Sequence, residues 1–327
     1  MSDDIRFAVV GCGMMGQRHA EILRATPGAS VTCVQDQVRA NAEKAAAGAH
    51  ICESYEKVVA RNDVDAVVLA LPSSLHAEYG IKAARAGKHV VTEKPIDIDV
   101  EAGRRLAMEC EKAGVVCAVI SQNRFADGNA ALKQALDNGD LGKPVLVRAS
   151  VKWFRHDEYY TKSDWRGTFK GEGGGVLMNQ AIHTMDLLVW MFGEPEEVIG
   201  RVNTTRKVLE TEDVGAAIMR FKNGLLATLE ASTSTFPGFD ERIEVHSPSG
   251  SGIVEKGSLI YWKTDDDKPM PQPPACEPPT PGLSPKFELF QRQYRNILSA
   301  IRGGGSLIVT PQEAIAVVAV TRAIYGK

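Results

Sequence analysis

No apolar run in the chain approaches the roughly 20 residues that a membrane-spanning helix requires, which argues against a transmembrane protein. Cysteine is sparse and scattered: six residues, at 12, 33, 52, 110, 117 and 276, with no C-x-x-C pair and no histidine at zinc spacing. That scatter argues against a disulfide framework or a metal centre and fits reduced thiols in a cytoplasmic protein. An excess of one charge is missing too. Lys and Arg number 38 against 41 Asp and Glu, a formal net charge of −3, so neither nucleic acid nor an anionic membrane has a surface to hold it. The start, Met1-Ser2-Asp3-Asp4, is acidic where a signal peptide would be basic. Internal repeats are absent. What remains is an ordinary soluble composition over 327 residues, enough for about two domains and a sizeable core.

Up to about Ser121, apolar runs at 5–10, 31–34, 66–71, 89–92 and 115–120 alternate with Ala-rich, charged helical segments. Short continuous apolar strands separated by helices predict a parallel sheet covered on both faces. After Gly142 the rhythm changes. Val145 to Phe154, Glu197 to Val202, Val214 to Phe221, Leu225 to Ser232, Ile243 to His246 and Leu259 to Lys263 read as strands, with a turn at Lys222-Asn223-Gly224. The expected class is α/β: a doubly wound parallel sheet over residues 1–121, then an α/β domain over 122–327 with a largely antiparallel sheet. Lys268 to Pro285 holds at least a third of the prolines and reads as an irregular loop. Two helices close the chain, Phe287 to Ile301 and Pro311 to Tyr325, with Thr310 as N-cap; the last can pack back on the first domain.

The first apolar strand runs into Gly11-Cys12-Gly13-Met14-Met15-Gly16, and a helical pattern follows. In that setting Gly11 makes a tight turn, Gly13 lets backbone approach a pyrophosphate, and Gly16 lets the helix pack on the strand. The N–H groups of Met14, Met15 and Gly16 then open a helix whose dipole favours phosphate. Asp36 ends the second strand, where its carboxylate can accept both hydroxyls of an adenosine ribose. Its charge would repel a 2′-phosphate, so NAD ranks above NADP, although Arg39 could blunt that repulsion.

Further loops belong at the carboxyl ends of these strands. Leu71-Pro72, with His76 opening the next helix, should border the cofactor. Glu93-Lys94-Pro95 follows the fourth apolar run, 89–92, and a lysine there can polarise or orient a hydroxyl. In the second half, Gly173-Gly174-Gly175 feeds a helical stretch carrying Asn179, His183 and Asp186, spaced to share one face. Histidine as a residue type titrates near neutrality, so His183 suits a general base for a hydroxyl about to lose hydride.

In this order, Gly11-x-Gly13-x-x-Gly16, Glu93-Lys94-Pro95, the triple glycine, His183-x-x-Asp186 and the closing helices with Tyr325 resemble the Gfo/Idh/MocA family of NAD(P)-dependent sugar and cyclitol oxidoreductases, over essentially the entire chain. The resemblance implies a Rossmann domain followed by an α/β domain whose open sheet builds a homodimer or homotetramer. It carries the catalytic lysine onto Lys94 and the catalytic histidine onto His183. Many members have Asp four residues before that histidine; this chain has Asn179, which can only orient a substrate hydroxyl by hydrogen bonds.

The reaction so implied oxidises a secondary alcohol of a sugar or cyclitol, or reduces the ketone. His183 takes the hydroxyl proton, Lys94 polarises the oxygen, Asn179 fixes a neighbouring hydroxyl and Asp186 orients His183. Further substrate contacts are expected from Asn123, Arg124, Tyr160, Trp165 and Arg166, the arginines suiting a carboxylate or phosphate. Two other readings use the same residues: a glycosidase-type enzyme that oxidises transiently and returns the hydride, and a non-catalytic NAD-binding regulator.

Overall fold

The computed structural model describes residues 4–326. They divide into two compact units: the chain through Gln122 together with Cys276–Ile315, and Asn123–Ala275 together with the residues from Ala316 onward. The segment after residue 275, assigned by sequence to the second domain, is therefore shared out, and its first helix belongs with the first unit.

In the first unit, β1 (Ile5–Val10), β2 (Ala29–Gln35), β3 (His50–Ile51), β4 (Ala66–Leu69), β5 (His89–Thr92) and β6 (Cys117–Val119) form one parallel sheet in the order β3-β2-β1-β4-β5-β6. The order reverses between β1 and β4, which opens a crevice beyond their carboxyl ends. β4 is buried along its whole length, as a strand covered on both faces must be. The core gathers Phe7, Val9, Ile22, Leu23, Val68 and Val91 with Tyr294, Ile297 and Leu298 of the returning helix Glu288–Ile301. Each such side chain contributes about 1.5–3 kcal/mol by leaving water. The edge strand β3, only two residues long, was not anticipated.

The second unit holds a seven-stranded sheet of β7 (Leu146–Lys152), β8 (Glu197–Asn203), β9 (Val214–Arg220), β10 (Leu226–Ser232), β11 (Arg242–Ser247), β12 (Gly250–Glu255) and β13 (Ser258–Thr264). Its order is β13-β12-β11-β7-β10-β9-β8, antiparallel except where β7 meets β10. Side chains alternate. Val147, Ala149, Val151, Ala227, Leu229 and Ala231 are buried on one face, where helices Asp127–Asp137 and Ile182–Phe192 pack. The other face exposes Leu146, Ile199, Ile218 and Leu226. Between β9 and β10 the expected turn forms, with Gly224 at φ +86° and the Asn223 side chain accepting from Leu225 N. No helix or strand occurs between Thr264 and Pro285, as the prolines predict. The helix Pro311–Ile324 starts at a capping box in which Thr310 Oγ1 accepts from Glu313 N and Glu313 Oε2 from Thr310 N.

Candidate functional site

The glycine turn is built by close approach. Gly11 has φ +81°, and a Cβ there would lie 2.4 Å from Ala70 O, beyond the end of β4. A Cβ at Gly16 would lie 1.8 Å from Gly11 O, so the helix Met14–Arg24 can cross β1 this tightly only with glycine. Gly13 differs: nothing lies within 4 Å of where its Cβ would be. No side chain caps this helix and its first turn carries no acidic residue. An uncapped helix start beside open space at a Cβ-less residue fits a pyrophosphate. The Asp36 carboxylate accepts from Cys12 N at 2.6 Å and Val38 N at 2.7 Å, so it also pins the turn to the end of β2. Its remaining lone pairs are what a ribose could use. Arg39 pairs with Glu43 at 3.0 Å.

Beyond β4 and β5 the assignments change. Leu71 and Pro72 are half-buried and bend the chain, with Pro72 O accepting from Leu75 N at 2.9 Å. His76, expected beside the cofactor, is 1% exposed. Its Nδ1 lies 2.7 Å from Pro95 O and its Nε2 3.0 Å from Leu71 O, so each nitrogen faces a backbone carbonyl, one of which accepts the ring N–H, and neither is open to a ligand. Burial pushes its pKa below the ordinary histidine value, against the two carbonyls. Glu93 is buried and meets His19 Nε2 at 2.8 Å. Lys94 is half-buried, and the Lys94–Pro95 peptide is cis.

In the second unit the triple glycine is a cradle for the C-terminus of the last helix. A Cβ at Gly174 would lie 2.1 Å from Tyr325 Oη, and one at Gly175 1.8 Å from Glu212 O. Glu212, 2% exposed, accepts from Gly175 N, Leu177 N and Tyr325 Oη at 2.7–2.9 Å. Burial pushes its pKa up in spite of those donors. The stretch after the glycines is not one helix. Val176–Asn179 ends, Gln180 and Ala181 turn, and Ile182–Phe192 begins anew. Asn179 and His183, both half-buried, therefore sit on separate segments, and the i, i+4 spacing does not describe them.

Asn179 is oriented from outside that stretch. Its Nδ2 donates to Glu172 Oε1 at 2.5 Å, and Glu172, 3% exposed, also accepts from Gly167 N and lies 3.6 Å from Arg166 Nη1. Asp186 accepts from Arg124 through both oxygens, at 2.8 and 2.7 Å. Arg124, expected to meet substrate, is 1% exposed in this pair, because a buried guanidinium needs a counter-charge. Asn123 is half-buried, its carbonyl accepting from Asn129. Tyr160 is also corrected: it is 6% exposed, with its hydroxyl on Thr233 Oγ1 at 2.7 Å. Its neighbour Tyr159 instead meets Arg166 and Asn179. The Tyr159 hydroxyl accepts from Arg166 Nη1 at 2.5 Å and lies 3.5 Å from Asn179 Nδ2. The Arg166 guanidinium stacks on Tyr159 and Trp165, 4.5 and 4.7 Å from the ring centres. Glu172 and Tyr159 were missed in the sequence, where nothing separates Tyr159 from Tyr160.

Lys94 lies in the first unit, Asn179 and His183 in the second. Residues 5–121 match the profile of the oxidoreductase family with an NAD-binding Rossmann fold, and residues 129–252 that of the GFO/IDH/MocA C-terminal domain. A curated relative, scyllo-inositol 2-dehydrogenase (NAD(+)) of Bacillus subtilis (strain 168), is 30% identical over 78% of this chain and 75% of its own. Inositol 2-dehydrogenase of Rhizobium meliloti (strain 1021) is 27% identical over 98% and 95%. Among solved structures, the WlbA dehydrogenase of Bordetella pertussis, in complex with NADH and UDP-GlcNAcA, superposes with a TM-score of 0.86 at 31% identity, over 99% of this chain and 96% of that one.

Proposed function

We propose that this chain, which belongs to the GFO/IDH/MocA family of NAD-binding oxidoreductases, moves a hydride between NAD(P) and a secondary alcohol of a sugar, a sugar derivative or a cyclitol. The observation that carries the reading is the cradle at Gly13, open where a phosphate must approach and closed by Gly11 and Gly16 on either side. A nicotinamide ring, when bound, supplies the hydride acceptor. The chain's own residues do the rest. His183 accepts the hydroxyl proton as general base, Lys94 polarises the oxygen, and Asn179 orients a neighbouring hydroxyl. Glu172 holds the Asn179 amide with its NH2 end inward, since a carboxylate can only accept. Trp165 and Tyr159 offer apolar faces to sugar C–H groups, and Arg166 between them suits a carboxylate or phosphate on the substrate.

The relatives' names support a cyclitol, and the solved complex supports a nucleotide-linked sugar acid, as the compounds to try first. The test is a screen of myo-inositol, scyllo-inositol, free uronates and UDP-GlcNAcA with NAD and with NADP, following absorbance of the reduced dinucleotide. We expect turnover with at least one of these, faster with NAD. Variants Lys94→Ala and His183→Ala should each lose about 10²–10⁴-fold in kcat, and the double variant little more, because both act on one oxygen. Turnover of a glycoside on sub-stoichiometric NAD without net NADH would replace this reading with the glycosidase-type one. Tight NADH binding with unchanged behaviour in both variants would favour the regulator. We also propose that the exposed sheet face joins copies of the chain into a homodimer or homotetramer.

A further inference from the structure

His19 lies on the helix Met14–Arg24, three residues past Gly16 and on the same buried side, with no solvent exposure. Its two ring nitrogens are both engaged. Nε2 is 2.8 Å from Glu93 Oε1, and Nδ1 is 2.9 Å from the Tyr294 hydroxyl. Tyr294, on the returning helix Glu288–Ile301, is fully buried, and burial raises its pKa, so it remains a phenol. The second Glu93 oxygen, Oε2, accepts from Lys94 N at 3.2 Å. The line of contacts thus runs Tyr294, His19, Glu93, Lys94, entirely within the first unit.

Its proton positions follow from one end. Among the described residues His19 is the hydrogen-bond partner of the Tyr294 hydroxyl, so the phenol must donate to Nδ1 or bury its hydrogen unpaired. With Nδ1 an acceptor, a neutral ring carries its hydrogen on Nε2 and donates it to Glu93. An imidazolium would turn Nδ1 into a second donor and orphan the phenol hydrogen. The ring is therefore a single neutral tautomer, and Glu93 is an acceptor through both oxygens.

We propose that His19 is a positioning residue for Lys94: held in one tautomer by Tyr294, it fixes the Glu93 carboxylate, which sets the chain at Lys94. The inference rests on the reading that Lys94 acts on the substrate hydroxyl. It explains why a polar ring occupies the buried face of the helix that opens at the glycine turn, where an apolar side chain would pack at less cost.

Two substitutions separate the ends of the ring. His19→Gln retains a donor that reaches Glu93; His19→Asn retains an acceptor for Tyr294 but is too short for Glu93. In the full-length protein saturated with NADH, Lys94 is labelled with trinitrobenzenesulfonate and its rate is read by peptide mass mapping. We expect His19→Asn to change that rate by about threefold or more and His19→Gln to stay near wild type. NADH affinity, from its fluorescence, should stay within about twofold for both. On any substrate found in the screen, His19→Asn should lower kcat about tenfold with KM nearly constant. Long-range 1H–15N spectra of the wild-type imidazole should show hydrogen on Nε2 and a bare Nδ1. Hydrogen on Nδ1, or equal Lys94 rates in the two variants, overturns the proposal. If His19→Asn does not fold, Tyr294→Phe removes only the donor to Nδ1 and must itself shift the tautomer and the Lys94 rate, or the idea fails. The labelling and the spectra need no substrate, so an empty screen would count against the dehydrogenase reading and leave this one decided separately.

Discussion

Gly13 and Gly16 stand three residues apart and answer different demands. At Gly16 a methyl would strike Gly11 O at 1.8 Å, so Gly16→Ala should disturb the packing of helix on strand and lower the melting temperature together with NADH affinity. At Gly13 there is open space, so Gly13→Ala should melt as wild type yet bind NADH at least about tenfold more weakly, by blocking backbone approach to the phosphates. Fluorescence titration beside a thermal melt reads both, and unchanged NADH binding in Gly13→Ala would remove the pyrophosphate from that place. Asn179 carries a second residue-scale consequence. Its NH2 group lies on the buried Glu172 carboxylate, so Asn179→Asp would set two carboxylates in contact and force one to hold a proton. A carboxyl whose pKa is raised in the folded state binds more protons there than when unfolded, so folding weakens as pH rises. The variant should lose roughly 2 kcal/mol at neutral pH, recover at acid pH, and be rescued by adding Glu172→Gln. Urea unfolding across pH measures it; a pH-independent loss would mean that Glu172 is not the cause. The family resemblance implies an Asp where this chain has Asn179, and the carboxylate that the Asn179 amide meets comes from seven residues away, in a separate helical turn.

At the scale of elements, the buried pair Arg124–Asp186 ties the turn before the helix Asp127–Asp137 to the helix Ile182–Phe192, which carries His183 in its first turn. Arg124→Ala would leave Asp186 buried without its counter-charge, at a cost of about 3–5 kcal/mol. Replacing both residues by leucine should recover most of that, because the desolvated pair then disappears from both sides of the balance. Urea denaturation of the three variants tests it; a double variant as unstable as Arg124→Ala would show that the pair has no apolar substitute. The long strands and both closing helices were legible, since a run of buried apolar residues or a 3.6-residue stripe needs no knowledge of the partner. Two strands were not. β3 has two residues, and β12 carries Gly250 and Gly252, where a Cβ would meet Lys263 O at 2.7 Å and Leu132 at 3.1 Å. Those glycines are required by neighbours distant in sequence, so β12 shows no local apolar alternation. The break at Gln180 and Ala181 was hidden for the same reason: neither residue is a helix breaker, and Glu212 grips the backbone at Gly175 and Leu177 from outside.

At the scale of the whole molecule, the amphipathic pattern of Glu288–Ile301 says that one side is buried but not in which unit, and Tyr294, Ile297 and Leu298 take it to the first. The sheet of the second unit poses the complementary question, because among the described residues one of its faces leaves apolar side chains exposed. Ile199 pairs with Ile218 across β8 and β9, and Leu226 with Leu146 across β10 and β7. These four are 44–56% exposed. Beside them charges pair among themselves, Arg148 with Glu230 and Glu244 at 3.5 and 3.6 Å, and Arg242 with Glu244 and Glu255 at 2.9 and 3.1 Å. A staggered apolar row, Ile199–Ile218 diagonal to Leu226–Leu146 and flanked by paired charges, is the pattern of a surface that another surface covers, and a two-fold axis lets one patch serve both copies. Exposed ion pairs add little by themselves, about 0–1 kcal/mol each, so the apolar row must supply the association. Ile218→Arg combined with Ile199→Arg places two charges at its β8–β9 end without touching the buried face of the sheet. Light scattering behind a sizing column should then show the proposed dimer or tetramer reduced to a monomer, with NADH affinity within about twofold of wild type, since the cradle at Gly13 lies in the other unit. A variant of unchanged mass would place the association elsewhere, and a wild type that is already monomeric would leave this face without a copy of itself to meet.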